Sequence, residues 1–98
     1  MNSDKMRENA DAATELLKAL ASRNRLLILC QLIGGERSVG ELAKRLELRG
    51  TVVSQHLGLL RRDGLVASRR DGQTIYYSLQ GKAAGRVLET LYDIYCSP

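Results

Sequence analysis

The apolar pattern of this chain changes period twice, and those changes fix the order of its elements. From Asn9 to Gly64 apolar residues recur every three or four positions, the spacing of one face of a helix. After Gly64 they alternate, which suits strands, and from Gly81 to Tyr95 the helical spacing returns. The alternating stretch is broken by Asp71-Gly72, a residue pair that accepts the positive φ angles of a tight hairpin turn. A chain of 98 residues holds one domain, so helices, hairpin and closing helix must share a single core.

The helical run divides at its capping residues. Residues 1–8 are polar and are expected to be a flexible tail, with the domain spanning 9–98. A first helix begins near Asn9 with Ala13, Leu16, Leu17 and Leu20 on one face. Ser22 is the expected N-cap of a second, with Leu26, Leu29, Cys30 and Ile33 on its apolar side and Gly34-Gly35 at its end. Ser38 and Glu41 have the spacing of a capping box and open a short helix with Val39, Leu42, Ala43 and Leu46 inward. After a break at Leu48-Arg49-Gly50, a fourth helix places Val53, Leu57 and Leu60 inward and ends at Gly64, with Arg61 and Arg62 suited to its negative C-terminal end. A loop of Asp71-Gly72 would set Arg70 opposite Gln73, Ser68 opposite Ile75 and Val66 opposite Tyr77, leaving Val66, Ile75, Tyr77 and Leu79 on the core face. The last helix carries Ala84, Val87, Leu88, Leu91, Tyr92 and Tyr95 as its stripe. The expected fold is mainly α with a small β-hairpin, in the order α-α-α-α-β-β-α: a winged helix-turn-helix.

That architecture points to duplex DNA. A recognition helix needs short polar side chains near its start that reach base edges. Thr51, Ser54 and Gln55 stand at i, i+3 and i+4 and share a face; Gln pairs bidentately with adenine, while Ser and Thr are less selective. Arg49, His56, Arg61 and Arg62 flank them as phosphate contacts, and Arg69, Arg70 and Gln73 decorate the wing. A formal net charge of +4 suits a polyanionic partner. The chain lacks Trp and Phe, which argues against the stacking platform of a single-strand binder. No activated nucleophile with a base and an orienting acid can be assembled, so the chain is not expected to be an enzyme, and no cofactor is implied. No apolar run reaches the length of a membrane span and the N-terminus has no signal-like core, so a cytoplasmic protein with no membrane partner is expected.

Several runs together carry a family likeness. Leu17-Lys18-Ala19-Leu20-Ala21, Arg25 to Cys30, Ser38-Val39-Gly40-Glu41-Leu42, Val53-Ser54-Gln55-His56-Leu57, Leu60 to Val66 and Arg69 to Tyr77 resemble the ArsR/SmtB repressors over about residues 10–96. The resemblance implies a homodimer, joined through first and last helices, that binds an inverted-repeat operator and is released by an inducer. Metal-sensing members place thiols in the short helix before the recognition helix, or Asp and His ligands on the last helix. Here the first segment has no thiol, the last helix has Asp93 but no His, and the chain holds one His in all, so no metal site is expected. Arg49-Gly50 stands where relatives usually have Ser-Gln, which removes the capping oxygen.

The two cysteines are the remaining clue to a signal. Taken alone, Cys30 is a small buried hydrophobe and Cys96 a terminal residue. The pair resembles a dithiol-sensing branch of the family that includes the biofilm growth-associated and sulfide-responsive repressors. That likeness implies that Cys30 and Cys96 react with persulfides, other reactive sulfur or oxidants. Cys96 lies at the negative end of a helix, three residues after Asp93, so Cys30 is expected to be the more reactive. Regulation without thiol chemistry, by abundance or by a partner protein, is the alternative reading; a metal-responsive repressor is a more distant one.

Overall fold

In the computed structural model, which describes residues 1–97, five helices surround a three-stranded antiparallel sheet. Helix α1 (Ser3–Leu20) begins earlier than expected. Asn2 Oδ1 accepts hydrogen bonds from the backbone N–H groups of Asp4 and Lys5, at 3.0 and 3.2 Å, so most of the stretch expected to be a loose tail is helical. Helix α2 (Arg23–Ile33) starts where Ser22 Oγ accepts from Arg25 N–H. Its inward face is rotated from the expected one by roughly 100°, one residue's turn. Ile28, Leu29 and Leu32 are buried, whereas Cys30 and Ile33 are exposed. The sequence offers α2 two apolar stripes; packing against α3, α4, α5 and the sheet selects one of them.

Strand β1 (Arg37–Ser38), which sequence patterning does not reveal, leads into α3 (Val39–Leu46). The capping box is complete: Ser38 Oγ accepts from Glu41 N–H at 3.2 Å, and Glu41 Oε1 accepts from Ser38 N–H at 3.0 Å. Glu47 closes α3 in the left-handed region, φ 55°, a place more often given to Gly or Asn. Helix α4 (Gly50–Arg62) follows, and its N-cap Arg49 supplies no side-chain bond, as expected. It ends in a Schellman turn. Gly64, at φ 79°, donates to Arg61 C=O, and Leu65 N–H donates to Leu60 C=O.

Strands β2 (Val66–Asp71) and β3 (Thr74–Leu79) form the wing, with β3 between β1 and β2. The loop is Gly72-Gln73, one residue beyond the expected Asp71-Gly72. The pairs are Asp71 with Thr74, Arg70 with Ile75, Ser68 with Tyr77 and Val66 with Leu79. Asp71 stays extended, and only Gly72 takes a positive φ, 63°, the pattern of a turn with Gly first. The slip moves each partner by two positions, so faces are kept: Val66 is buried and Tyr77 and Leu79 pack on the core. Ile75, out beside Arg70, is exposed rather than in the core. Helix α5 (Ala83–Tyr95) begins two residues after Gly81.

The core is one cluster under α2–α4 and the sheet. Ile28, Leu29, Leu42, Val53, Leu57, Leu60, Val66 and Leu88 are almost wholly withdrawn from water. Each contributes about 1.5–3 kcal/mol by burial. The faces of α1 and α5 turned away from this cluster are apolar and uncovered: Leu17, Tyr92 and Ile94 are each at least 60% exposed.

Candidate nucleic-acid interface and thiol groove

Packing of α4 on α3 leaves the polar side of α4 outward. Val53, Leu57 and Leu60 are fully buried, and Thr51, Ser54 and Gln55 are all exposed on the other side. The three base-reading candidates are therefore presented as the spacing predicts. Gly50 is an ordinary helical residue: its φ is negative, and a Cβ there would meet only Val39 Cγ1 at 4.0 Å. Backbone freedom is therefore no reason for glycine at this entrance. His56 is half-buried, unlike its exposed neighbours Ser54 and Gln55, and its Nδ1 is shielded without a hydrogen-bond partner among the described residues.

The arginines divide into engaged and unengaged. Arg49 and Arg61 are exposed, and Arg62 lies 3.4 Å from the neighbouring Asp63. Arg69, expected to reach DNA from the wing, is tied down. Its Nε donates to both carboxylate oxygens of Glu36, at 3.1 and 2.9 Å, and its Nη2 also meets Glu36 Oε1. Its guanidinium stacks over the Tyr76 ring at 4.8 Å and approaches Asp71 at 3.9 Å. Hydrogen bonding from Arg69 holds the Glu36 carboxyl below the usual carboxylate range, and the same contact raises the guanidinium's own pKa. Arg70 is exposed and, among the described residues, makes no ion pair. Gln73 borders a groove with Ser38, Val39 and Gly40, so the wing turn lies beside the start of α3.

The thiols lie near the C-terminal ends of two packed helices. Cys30 is on the last turn of α2, and Cys96 caps α5, its N–H donating to Tyr92 C=O at 2.7 Å. Both are unpaired and exposed. Cys30 opens into a groove of about 390 Å³ between α2 and α5, floored by Ile33, Leu88 and Tyr92 and flanked by Glu89 and Asp93. Partial burial pushes the Cys30 thiol above its ordinary value, and the Cys96 charge pushes it further. A raised pKa works against the expectation that Cys30 is the more reactive of the two thiols. Among the described residues no three His, Cys, Asp or Glu side chains come together as metal ligands would.

Two contacts bordering the wing and the thiol groove escaped sequence reasoning. Glu36 meets Arg69 across 33 positions, and no local pattern signals such a pair. Arg37 reaches back so that its Nε donates to Gln31 C=O at 3.1 Å. A cation beside exposed helix-end carbonyls is the physical signal, yet the sequence does not show which Arg takes that place.

A helix pair with an exposed polar recognition face, followed by a basic hairpin, defines a winged helix-turn-helix DNA-binding regulator. The model of the arsR family of bacterial regulatory proteins matches residues 22–68. The transcriptional activator HlyU of Vibrio cholerae is 48% identical over 96 residues, covering 98% of this chain and 89% of that protein. The crystal structure of the transcriptional repressor BigR of Xylella fastidiosa superposes with a TM-score of 0.94 at 37% identity, covering 100% of each chain. The solution structure of a homodimeric winged helix-turn-helix DNA-binding domain from Mycobacterium bovis gives a TM-score of 0.78 at 33% identity, covering 95% of this chain and 86% of that one. This chain belongs to the arsR family of DNA-binding transcription regulators.

Proposed function

We propose that this protein is a homodimeric repressor that binds an inverted-repeat operator and releases it when Cys30 and Cys96 are oxidised together. It acts in the cytoplasm and is not an enzyme. The observation that carries the reading is the groove between α2 and α5, which presents Cys30 beside the helix that Cys96 ends. The dimer is supported by the uncovered apolar faces of α1 and α5, and by the homodimeric relative from Mycobacterium bovis.

The chemistry balances with either class of inducer. With a persulfide, one thiolate attacks its sulfane sulfur and expels the parent thiol. The second cysteine then attacks the protein persulfide and expels hydrogen sulfide. Two thiols and one RSSH thus give a protein disulfide, RSH and H₂S. With hydrogen peroxide, the first thiolate becomes a sulfenic acid, which the second converts to the disulfide, releasing two waters in total. Bases are read by Thr51, Ser54 and Gln55, while Arg49, Arg61, Arg62 and Arg70 meet phosphates.

The test is operator titration before and after treatment with an organic persulfide or hydrogen peroxide, with mass spectrometry of the thiols. Weaker binding accompanied by linked cysteines supports the proposal; unchanged affinity with both thiols free sinks it. The raised pKa of Cys30 favours a second reading, a regulator without thiol sensing controlled by abundance or a partner. Normal induction in cells carrying Cys30→Ser and Cys96→Ser would establish that one instead.

A further inference from the structure

The segment between α2 and α3, residues 34–38, is short, and two consecutive side chains in it grip different parts of the molecule. Arg37 holds the end of α2. Its Nε donates to the carbonyl of Gln31, the residue after Cys30, and its Nη2 lies 3.6 Å from where a Cβ on Gly34 would sit. Gly34 itself lines the Cys30 groove. Glu36 holds the wing, through the Arg69 contacts described above. Beyond them, Arg37 and Ser38 pair as β1 with Tyr77 and Tyr76 of β3, and Tyr76 is the ring on which Arg69 stacks. The last turn of α2, the linker and the wing are thus joined by side-chain and ladder hydrogen bonds over a few residues.

We propose that Glu36 and Arg37 couple the state of Cys30 to the position of the wing. The proposal rests on the thiol-sensing reading and adds how the signal would reach DNA. Linking Cys30 to Cys96 pulls on the last turn of α2, whose Gln31 carbonyl is held by Arg37. The linker follows, and Glu36 takes Arg69 with it. The strand carrying Arg69 also carries Arg70, the wing arginine left available for phosphate. DNA favours one placement of that strand and the linked thiols favour another, which is the differential interaction that coupling between two sites requires. Glu36 and Arg37 are positioning residues in this account and need not touch DNA.

The experiment compares full-length wild type with Glu36→Gln, Arg37→Gln and Arg69→Gln, each checked for folding by circular dichroism. The probe is a fluorescein-labelled duplex recovered from a random-sequence pool. Its Kd is measured with thiols reduced and again after hydrogen peroxide, with mass spectrometry reporting the Cys30–Cys96 link. Wild type is expected to weaken by about 5- to 150-fold on treatment, and each variant should shrink that ratio by at least about threefold while linking its cysteines as wild type does. Glu36→Gln combined with Arg69→Gln should shrink the ratio no further than either alone, because both remove one contact. Variants that fold, link their thiols and keep the wild-type ratio would overturn the proposal. A wild type that links its thiols without weakening would instead overturn the thiol-sensing reading on which it rests.

Discussion

Replacing Arg70 with Gln is expected to flatten the salt dependence of DNA binding, and replacing Arg69 with Gln is not. The two arginines are adjacent on β2 and both exposed, so sequence treats them alike. The structure separates them: Arg69 already faces the Glu36 carboxylate and approaches Asp71, whereas Arg70 has no such partner among the described residues. A cation neutralised within the protein displaces few counterions when DNA arrives; an unpaired one that meets a phosphate displaces nearly one. Each such contact adds about 0.9 to the slope of log K against log salt, and the proposed dimer presents two wings, so Arg70→Gln should lower the slope by about 1.8. Between about 50 and 200 mM salt this narrows the loss of affinity by about twelvefold. Fluorescence anisotropy titrations of a labelled duplex across that salt range measure both slopes. Equal slope changes for the two variants would refute the reasoning, because they would mean that Arg69 abandons Glu36 for phosphate in the complex.

Four further outcomes follow from the same geometry. Leu57→Ala opens a cavity beneath the recognition helix at a fully buried position and should cost about 2–5 kcal/mol, read from urea unfolding. Ser38→Ala removes the capping oxygen of α3 and should cost about 1 kcal/mol. The Glu41 carboxyl is held below the usual carboxylate range, first by the Ser38 backbone N–H. A group depressed in the folded state stabilises above its unfolded pKa and loses that contribution as pH falls through its folded pKa. Urea midpoints of Glu41→Gln should therefore fall less than those of wild type on acidification. Cys96→Ser should lower the pH midpoint of Cys30 alkylation by iodoacetamide yet leave it above the ordinary thiol value, because burial is the larger of its two causes.

The candidate base-reading residues were legible because two local rules agree on them. Helical spacing separates Thr51, Ser54 and Gln55 from Val53, Leu57 and Leu60, which fall on the other side of that helix. Ser22, the Ser38–Glu41 box and Gly64 mark helix ends through bonds made within a few residues, and all three act as their spacing predicts. The same reasoning failed on α2, which is apolar on two sides, and so Cys30 moved from an expected buried stripe to the mouth of a groove. It also placed the wing turn one residue early, because Asp-Gly satisfies the local preference for a turn and the pairing of two whole strands decides where it falls.

Sequence by itself therefore determined the order of the helices and the hairpin, several of the helix caps and which side of α4 carries its exposed polar residues, because each depends on neighbours a few positions away. Tertiary structure alone decided which face of α2 is buried, how β1 joins the wing and which wing arginine is available. Those outcomes depend on contacts such as Glu36 with Arg69, between residues 33 positions apart, whose energies exist only once the core has brought the linker and hairpin together.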